Sequence, residues 1–431
     1  AEAARTRLFQ ENHVIDIQGK FIKDEGYIAQ EFEVDIQAGK TLRIEKIISL
    51  YHSRDLAISE SRVEAQERLR HVGSFDSLLN LHTIAWDHLW ERWGISVEAE
   101  TRRIEQVHNL HIFHLLQTVS PNTVDLDVGA PPRGLHGEAY RGLIMWDELF
   151  IIPLLNLRIP DITRGLLMYR YRRLPRAEWA AEHKGYRGAM FPWQSGSDGQ
   201  EQAQTLHLNP ESGRWIPDNS QLQRHINIAI AYNIWLYYQV TGDVDFISFY
   251  GAVLFIKIVR FWASKANYNE SLGRYEIRKV MGPDEFHDSY PDASEAGIDN
   301  NTYTNVMVAW TLCRALDMLD ILPKQRKTFI MDDLEVTQEE LNHWDEMSRN
   351  MRVVFHEDGI LSQFEGYEDL EEFDWQAYRN KYGDLQRLDR ILEAEGDTPN
   401  RYKLSKQADV LMLFYLLSAD ELEELFNRMR S

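Results

Sequence analysis

Hydrophobic positions follow two different periods along the chain, and the first is the period of two that is typical of β-strands. Phe32, Val34 and Ile36 alternate with polar residues, as do Leu42 and Ile44, and a turn is predicted at Gly39-Lys40 between the two runs. Residues 14–51 are therefore predicted to be β-rich. A segment of about 50 residues with roughly three or four strands cannot bury two sheet faces alone, so we expect it to be the end of a larger N-terminal β-sandwich.

From about residue 76 the hydrophobic period changes to that of an amphipathic helix. Helices are predicted over about 161–182, 219–240, 244–265, 300–321, 335–354 and 405–417, and long loops carrying Gly, Pro, Trp or His separate them. Long ordered loops are uncommon in compact domains and are usually functional. The pattern predicts a mainly α fold in which paired helices form an α/α toroid around a pocket.

The charge balance narrows the choice of partner. The chain has 431 residues, with 68 Asp and Glu against 47 Lys and Arg, so its formal net charge is −21. A field of this sign repels phosphate backbones and anionic lipid. We therefore expect no nucleic-acid partner, and a neutral or small ligand instead.

Cysteine usage and hydropathy bear on the compartment. Cys313 is the single cysteine, so no intramolecular disulfide can form, which fits a reducing cytosol. No run of about 18 uncharged apolar residues predicts a membrane span, and the N-terminal Ala-Glu-Ala-Ala-Arg does not resemble a signal peptide. We expect a cytoplasmic protein that does not engage a membrane.

Two adjacent carboxylates, Asp284 and Glu285, are the strongest candidates for acid catalysis. They follow Gly282-Pro283, which takes the chain out of regular structure after a β-like run. Phe286 and Tyr290 are expected to wall them, because apolar surroundings disfavour the charged form of a carboxyl group and so favour a general acid. A solvated acidic loop is the alternative interpretation.

Further loops place a Trp beside a hydrogen-bonding side chain. The loop 134–142 leads into Trp146-Asp147, and the loop 185–194 ends at Trp193-Gln194. Sugar rings have apolar faces and hydroxyl rims, so a Trp next to an Asp or Gln is typical of a pyranose subsite. Packing of the Trp rings at a helix end is the alternative.

Other chemistries are disfavoured by spacing. The histidines of the loops, His136, His183, His207, His225 and His287, do not repeat as metal ligands do, so no metal is expected. The run 195–200 lacks the preceding strand and following Lys of a phosphate cradle. There is no Gly-x-Ser-x-Gly, and Cys313 lies in an apolar helical pattern, where we predict a structural thiol.

In combination, four stretches resemble glycoside hydrolase family 65, which contains trehalose, maltose and kojibiose phosphorylases and hydrolytic relatives. The stretches are Gly134–Gly142 with Trp146-Asp147; 169–175 with 185–194; 282–287 with 299–305; and Lys406-Gln407-Ala408-Asp409-Val410. The resemblance implies an N-terminal β-sandwich, a helical linker and an (α/α)6 barrel. We expect residues 1–75 to be the C-terminal part of the sandwich, 76–103 the linker and 104–431 the catalytic domain. About nine or ten helices are predicted where the closed barrel has twelve, so the barrel is expected to be incomplete in this chain.

The resemblance also implies roles for individual residues. It places the general acid at Glu285 and substrate contacts at Trp146, Asp147, Trp193, Gln194, His225, Lys406 and Gln407. Many family members have a Glu where Gln194 stands, and His-Ile-Phe-Trp-Asp-Thr-Glu where this chain has Leu143-Ile144-Met145-Trp146-Asp147-Glu148. These differences from the family bear on which glycosidic linkage is cleaved and which acceptor sugar is preferred.

The reaction expected from the resemblance is inverting phosphorolysis of an α-glucosyl disaccharide to β-glucose 1-phosphate and a sugar acceptor. Glu285 would act as general acid and inorganic phosphate, a co-substrate, as nucleophile, with no cofactor and with the enzyme as a homodimer. In an inverting hydrolase a second carboxylate would stand about 6.5–9.5 Å away with water between. An inverting α-glucosidase and a non-catalytic sugar-binding fragment are the two alternatives.

Overall fold

A computed structural model describes residues 1–98, 101–134, 140 and 142–430, and they form two compact units, Ala1–Asn109 and Leu110–Ser431. Among the described residues, the first unit contains five strands and the second contains two short hairpins. The strands are β1 Glu2–Gln10, β2 His13–Ile15, β3 Lys20–Asp24, β4 Tyr27–Glu31, β5 Leu42–Leu50, β6 Leu206–Asn209, β7 Arg214–Pro217, β8 Asn267–Asn269 and β9 Arg274–Glu276.

Helices make up most of the regular structure, in agreement with the predicted mainly α class. They are α1 Ser61–His71, α2 Phe75–Trp93, α3 Arg102–Thr118, α4 Glu148–Arg158, α5 Pro160–Arg172, α6 Leu174–His183, α7 Ile226–Thr241, α8 Val244–Phe246, α9 Ala252–Lys265, α10 Thr302–Ile321, α11 Lys324–Asp333, α12 Gln338–Asn350, α13 Trp375–Tyr382, α14 Leu388–Glu395, α15 Asp409–Leu416 and α16 Ala419–Arg430. A π-helical turn, Ile247–Gly251, joins α8 to α9.

The first unit is built on an antiparallel sheet in the order β2-β1-β5, with β3 and β4 forming a separate hairpin. Helix α1 packs on β1 and β5, and Arg5 donates to the Leu69 carbonyl at 2.8 Å near the end of that helix. The predicted turn at Gly39-Lys40 is confirmed, since the Lys40 N–H donates to the Gln37 carbonyl.

The alternating run Phe32, Val34 and Ile36 is not a strand, which corrects the sequence-based prediction. Alternation predicts a strand only where a neighbouring sheet edge supplies hydrogen-bond partners. Strand β1 is already paired by β2 on one side and β5 on the other.

The second unit has its core around α7 and α10, which are buried along most of their length. Helices α4, α5 and α9 pack on α7, and α9, α12 and α15 pack on α10. The helix predicted over 161–182 is two helices that break at Arg173, because Pro175 lies in the first turn of α6 and cannot continue a helix.

The segment Val244–Lys265 is long and apolar enough for a membrane span, with a mean hydropathy of 1.6, but 72% of its 18-residue apolar window is buried inside the fold. The sequence predicts a helix over about 244–265, and the structure places α9 there, packed against α7 and α10. Cys313 is partly buried on α10, and burial raises the pKa of its thiol.

Candidate active site

The acid loop, residues 281–288, runs between β9 and α10 at the mouth of a cavity of about 690 Å³. Its start is fixed by an isolated bridge between Val280 and Ile298 and by the Met281 N–H, which donates to the Leu222 carbonyl at 3.0 Å. Glu285 lines this cavity, and its side chain is 37% exposed. The volume lies in the range of roughly 300–1,000 Å³ that is usual for small-molecule sites.

Asp284 and Glu285 face opposite ways. Asp284 is buried, and its carboxylate contacts the His287 ring at Nδ1, 2.7 Å away, and accepts the backbone N–H of Lys406 at 2.8 Å. The other ring nitrogen of His287 lies 3.0 Å from the Tyr402 carbonyl. Asp284 therefore joins the acid loop to the segment 402–406 instead of working beside Glu285.

Asp409 holds the acid loop in place through a hydrogen bond to its backbone. Its buried carboxylate accepts the Asp284 N–H and the side-chain amide of Asn301. Burial, reinforced by the charge of Asp284, raises the pKa of Asp409 well above its ordinary value. Gly282 is required here, because a Cβ atom at this position would lie 2.0 Å from Asp409 Oδ2.

Phe286 and Tyr290 do not form the wall around Glu285 that the sequence predicts. Phe286 packs away from the cavity against the small core cluster that contains Phe373 and Leu388. The Tyr290 hydroxyl donates to the Glu365 carbonyl at 2.9 Å, and burial raises the pKa of Tyr290 to about 12. The neighbours of Glu285 are charged instead, since Lys406 Nζ forms an ion pair with its carboxylate.

Lys406 and Gln407 lie in the loop before α15, which begins at Asp409. This corrects the expectation that the helix starts near residue 405 and carries this pair on its first turn. Lys406 is brought to the acid loop by the bond from its N–H to Asp284. Gln407 is exposed and does not line the cavity as described.

The two predicted Trp platforms lie together. The ring centroids of Trp146 and Trp193 are 6.1 Å apart, and both residues are largely buried. Trp193 and Gln194 line the cavity, and the Glu201 carboxylate accepts both of their backbone N–H groups, at 2.8 and 3.0 Å. Glu201 has no recognisable motif around it, so the sequence-based analysis missed it.

Asp147 precedes α4 and is half-buried. Burial raises the pKa of its carboxyl group, and the charge of Glu285 raises it further. The two carboxyl groups are therefore within electrostatic reach of each other. The loop predicted to lead into this region is described only at residues 134, 140 and 142, so its positions 135–139 and 141 lie outside the described residues.

His225 lies beneath the Trp platforms and does not line the cavity. It is fully buried, with its ring centroid 4.7 Å from that of Trp146 and 5.2 Å from that of Trp193. Its Nε2 lies 3.2 Å from the Gln223 side-chain oxygen. Burial lowers the pKa of His225 to about 3, so the ring is neutral.

The other carboxylates of the cavity are already engaged. Asp389 receives a two-point contact from Arg387, at 2.6 and 3.0 Å, and Asp288 accepts the amides of Asn219 and Asn400, each at 2.8 Å. Asp218 lies 3.6 Å from His207. Within the described part of the chain, no group of three or more His, Cys, Asp or Glu side chains is placed to hold a metal ion.

Trp146 and Asp147 are not among the residues that line the cavity. A proton donor that faces a cavity lined by Trp193 and by side-chain amides is suited to cleaving a glycosidic bond. Residues 109–430 match the central catalytic domain of glycosyl hydrolase family 65, and residues 1–89 match its N-terminal domain. The chain belongs to glycosyl hydrolase family 65, whose members are enzymes that act on glucosides. The resemblance seen in the sequence is thus confirmed.

Several relatives cover nearly the whole chain. It is 50% identical over 429 residues to an uncharacterised glycosyl hydrolase of Mycobacterium tuberculosis, 100% of this chain and 32% of that protein. It is 36% identical over 403 residues to trehalose 6-phosphate phosphorylase of Lactococcus lactis, 93% of this chain and 50% of that protein. Kojibiose phosphorylase of Halothermothrix orenii is 32% identical over 408 residues, 90% of this chain and 50% of that protein. The chain thus spans 32% to 50% of the lengths of these relatives.

A solved structure, assigned provisionally as a kojibiose phosphorylase from the human microbiome, superposes with a TM-score of 0.74 at 20% identity. The match covers 99% of this chain and 53% of that chain. It shows that the two share a fold.

Proposed function

We propose that this chain carries the acid-catalytic half of an inverting phosphorolysis of α-glucosyl disaccharides. Glu285 donates its proton to the glycosidic oxygen as the bond from that oxygen to the anomeric carbon breaks. A phosphate oxygen forms a new bond to the anomeric carbon from the opposite face, so the products are β-glucose 1-phosphate and the free acceptor sugar. Phosphorylases among the relatives support the choice of phosphate as nucleophile.

The observation that carries this proposal is the difference between Glu285 and the other carboxylates of the cavity. In the described structure the Glu285 carboxylate is paired with the flexible Lys406 side chain, whereas Asp288 and Asp389 are held by amides and by Arg387. A general base for water needs an available carboxylate. Asp288 and Asp389 are therefore poorly placed for that role, whereas phosphate as the nucleophile is supported by the phosphorylases among the relatives.

We propose the donor glucose subsite at Trp146, Asp147, Trp193 and Gln194, with Lys406 and Gln407 beside it. Trp193 and Gln194 form part of the cavity wall. Asp147 is close enough to Glu285 that, in addition to burial, the charge of Glu285 raises the pKa of the Asp147 carboxyl group. His225 serves as support for the two Trp rings, because it packs edge-on against both.

We further propose that the helices belong to an (α/α)6 barrel and that the N-terminal strands are the end of a β-sandwich. Apolar side chains on two helices support the barrel. Phe150 and Leu157 on α4, and Leu411 and Phe414 on α15, are exposed, as expected where further helices of a ring would cover them.

The test uses the natural polypeptide in which this chain occurs, incubated with kojibiose, trehalose, maltose and nigerose, with and without phosphate. Release of the acceptor sugar should require phosphate and should yield β-glucose 1-phosphate. Phosphate-independent release of glucose at an undiminished rate would refute phosphorolysis and favour the α-glucosidase alternative. Absence of both products would favour the sugar-binding alternative.

A further inference from the structure

Arginines line one wall of the cavity, at the N-terminal end of α14. Arg387 precedes that helix and Arg390 lies in its first turn, and both line the same cavity as Glu285. Arg133 lines it as well, with its guanidinium 5.7 Å from the Tyr140 ring centroid. Such a cluster is unexpected in a chain whose formal net charge is −21.

Arg390 has no anionic partner. Arg387 is satisfied by Asp389, but Arg390 forms no ion pair in the described structure, and its buried Nε atom has no hydrogen-bond partner there. A polar group withdrawn from water without a partner is costly, and such groups usually find one. The chemistry that satisfies a guanidinium best is a planar or tetrahedral oxyanion, which it can bind at two points.

The position of Glu285 indicates which part of the substrate meets this wall. Phe286, the neighbour of Glu285 in the chain, packs against the core cluster that contains Leu388, the residue after Arg387, so the arginine wall lies beside the acid. The hydrogen bond with Asp389 raises the pKa of Arg387, and the charge of Glu285 raises it further. In an inverting displacement the acid stands beside the leaving group and the nucleophile approaches from the opposite face. An anion at Arg390 is therefore part of the leaving sugar and not the attacking phosphate.

We propose that the acceptor half of this cavity recognises a sugar that carries a phosphate group, bound by Arg390 with Arg387 beside it. The inference rests on the proposed function, because the proposed reaction identifies the leaving side. The carboxylate of Asp389 does not repel a bound phosphate group, because its charge is compensated by Arg387. The carboxylate of Asp288 accepts hydrogen bonds from two side-chain amides, those of Asn219 and Asn400.

Binding to the natural polypeptide, followed by tryptophan fluorescence, tests the assignment with three probes: glucose 6-phosphate, glucose and inorganic phosphate. Glucose 6-phosphate should bind at least tenfold more tightly than glucose, and Arg390→Ala should remove that advantage without changing the affinity for glucose. Arg390→Lys should recover part of it. Arg379→Ala, at an exposed arginine on the neighbouring helix α13, is the matched control.

Equal affinities for glucose and glucose 6-phosphate would overturn the proposal, as would an unchanged preference in Arg390→Ala. If inorganic phosphate alone binds as tightly as glucose 6-phosphate and loses the same affinity in Arg390→Ala, the anion at this wall is the nucleophile and the assignment to the acceptor is wrong. The readout is binding, so it does not depend on turnover. A failure of the proposed reaction would instead show as absent turnover with the phosphate preference preserved.

Discussion

Acidification should destabilise the protein through His225. The ring is enclosed by Trp146, Trp193 and Tyr303, and burial holds its pKa at about 3 against an ordinary value of 6.5. The unfolded chain takes up a proton below pH 6.5, whereas the folded chain does not until about pH 3. The stability from the neutral ring is therefore complete above pH 6.5 and is lost as the pH falls from 6.5 towards 3.

The size of the effect follows from the separation of the two pKa values. Each pH unit below the unfolded pKa costs about 1.4 kcal/mol as long as the folded ring stays neutral. Lowering the pH from 7.5 to 5.0 covers about 1.5 such units, so His225 should account for a loss of about 2 kcal/mol in the free energy of unfolding.

Urea unfolding followed by far-UV circular dichroism, at pH 7.5 and 5.0, measures this loss. His225→Gln should be less stable than wild type at pH 7.5 because packing is lost, but its stability should fall by about 2 kcal/mol less on acidification. His183→Gln, at an exposed histidine on α6, is the control for the substitution itself. If wild type and His225→Gln lose the same stability on acidification, the His225 ring is accessible to protons in the folded state, and its pKa is not lowered by burial.

Three further predictions concern the acid loop and the sugar subsite. Glu285→Gln should lower turnover by about 100- to 10,000-fold while sugar binding is kept, because only the proton is removed; steady-state kinetics that retain more than about a tenth of the rate would exclude the acid role. Asp147→Ala should weaken glucose binding by about 2–4 kcal/mol in calorimetric titrations, and an unchanged affinity would place Asp147 outside the subsite. Gly282→Ala should cost about 1–3 kcal/mol of stability and lower turnover as well, because its Cβ would displace the Asp409 carboxylate; unfolding and kinetic measurements that show neither effect would contradict the described packing.

Much of the fold could be predicted from the sequence, because a long segment of mostly apolar residues can adopt few structures other than a buried helix. The segments that became α7, α9 and α10 are apolar nearly all round, and such segments can only be buried. The failures are local. The helix break at Arg173 was missed because a single proline interrupts an otherwise continuous helical pattern. The run from Phe32 to Ile36 was wrongly predicted as a strand because the sequence does not show whether a neighbouring strand has a free edge to pair with it.

The site was only partly accessible to sequence reasoning. The two adjacent carboxylates after Gly282-Pro283 identified the loop with Glu285, but not the direction in which each side chain points, and so Phe286 was wrongly expected at the cavity. The ion pair between Glu285 and Lys406 joins positions 121 apart, which no local spacing encodes; the family resemblance alone brought them together. Arg390 and Glu201 lie in no motif, and their roles depend on the tertiary structure.

The Glu285 carboxylate is exposed, and in the described structure its partner is Lys406. The hydrogen bonds of the neighbouring buried residue, Asp284, explain how Glu285 is held in place. Asp284 accepts the Lys406 N–H, contacts His287 and donates its own N–H to Asp409, so the acid loop and the segment 406–409, which are distant in sequence, meet at one buried residue. Because Asp284 is adjacent to Glu285 and also bonded to the backbone of Lys406, any shift of Asp284 moves the proton donor and the cation together. Their separation is thus fixed by the buried network while both side-chain ends remain free to exchange their mutual contact for contacts with substrate.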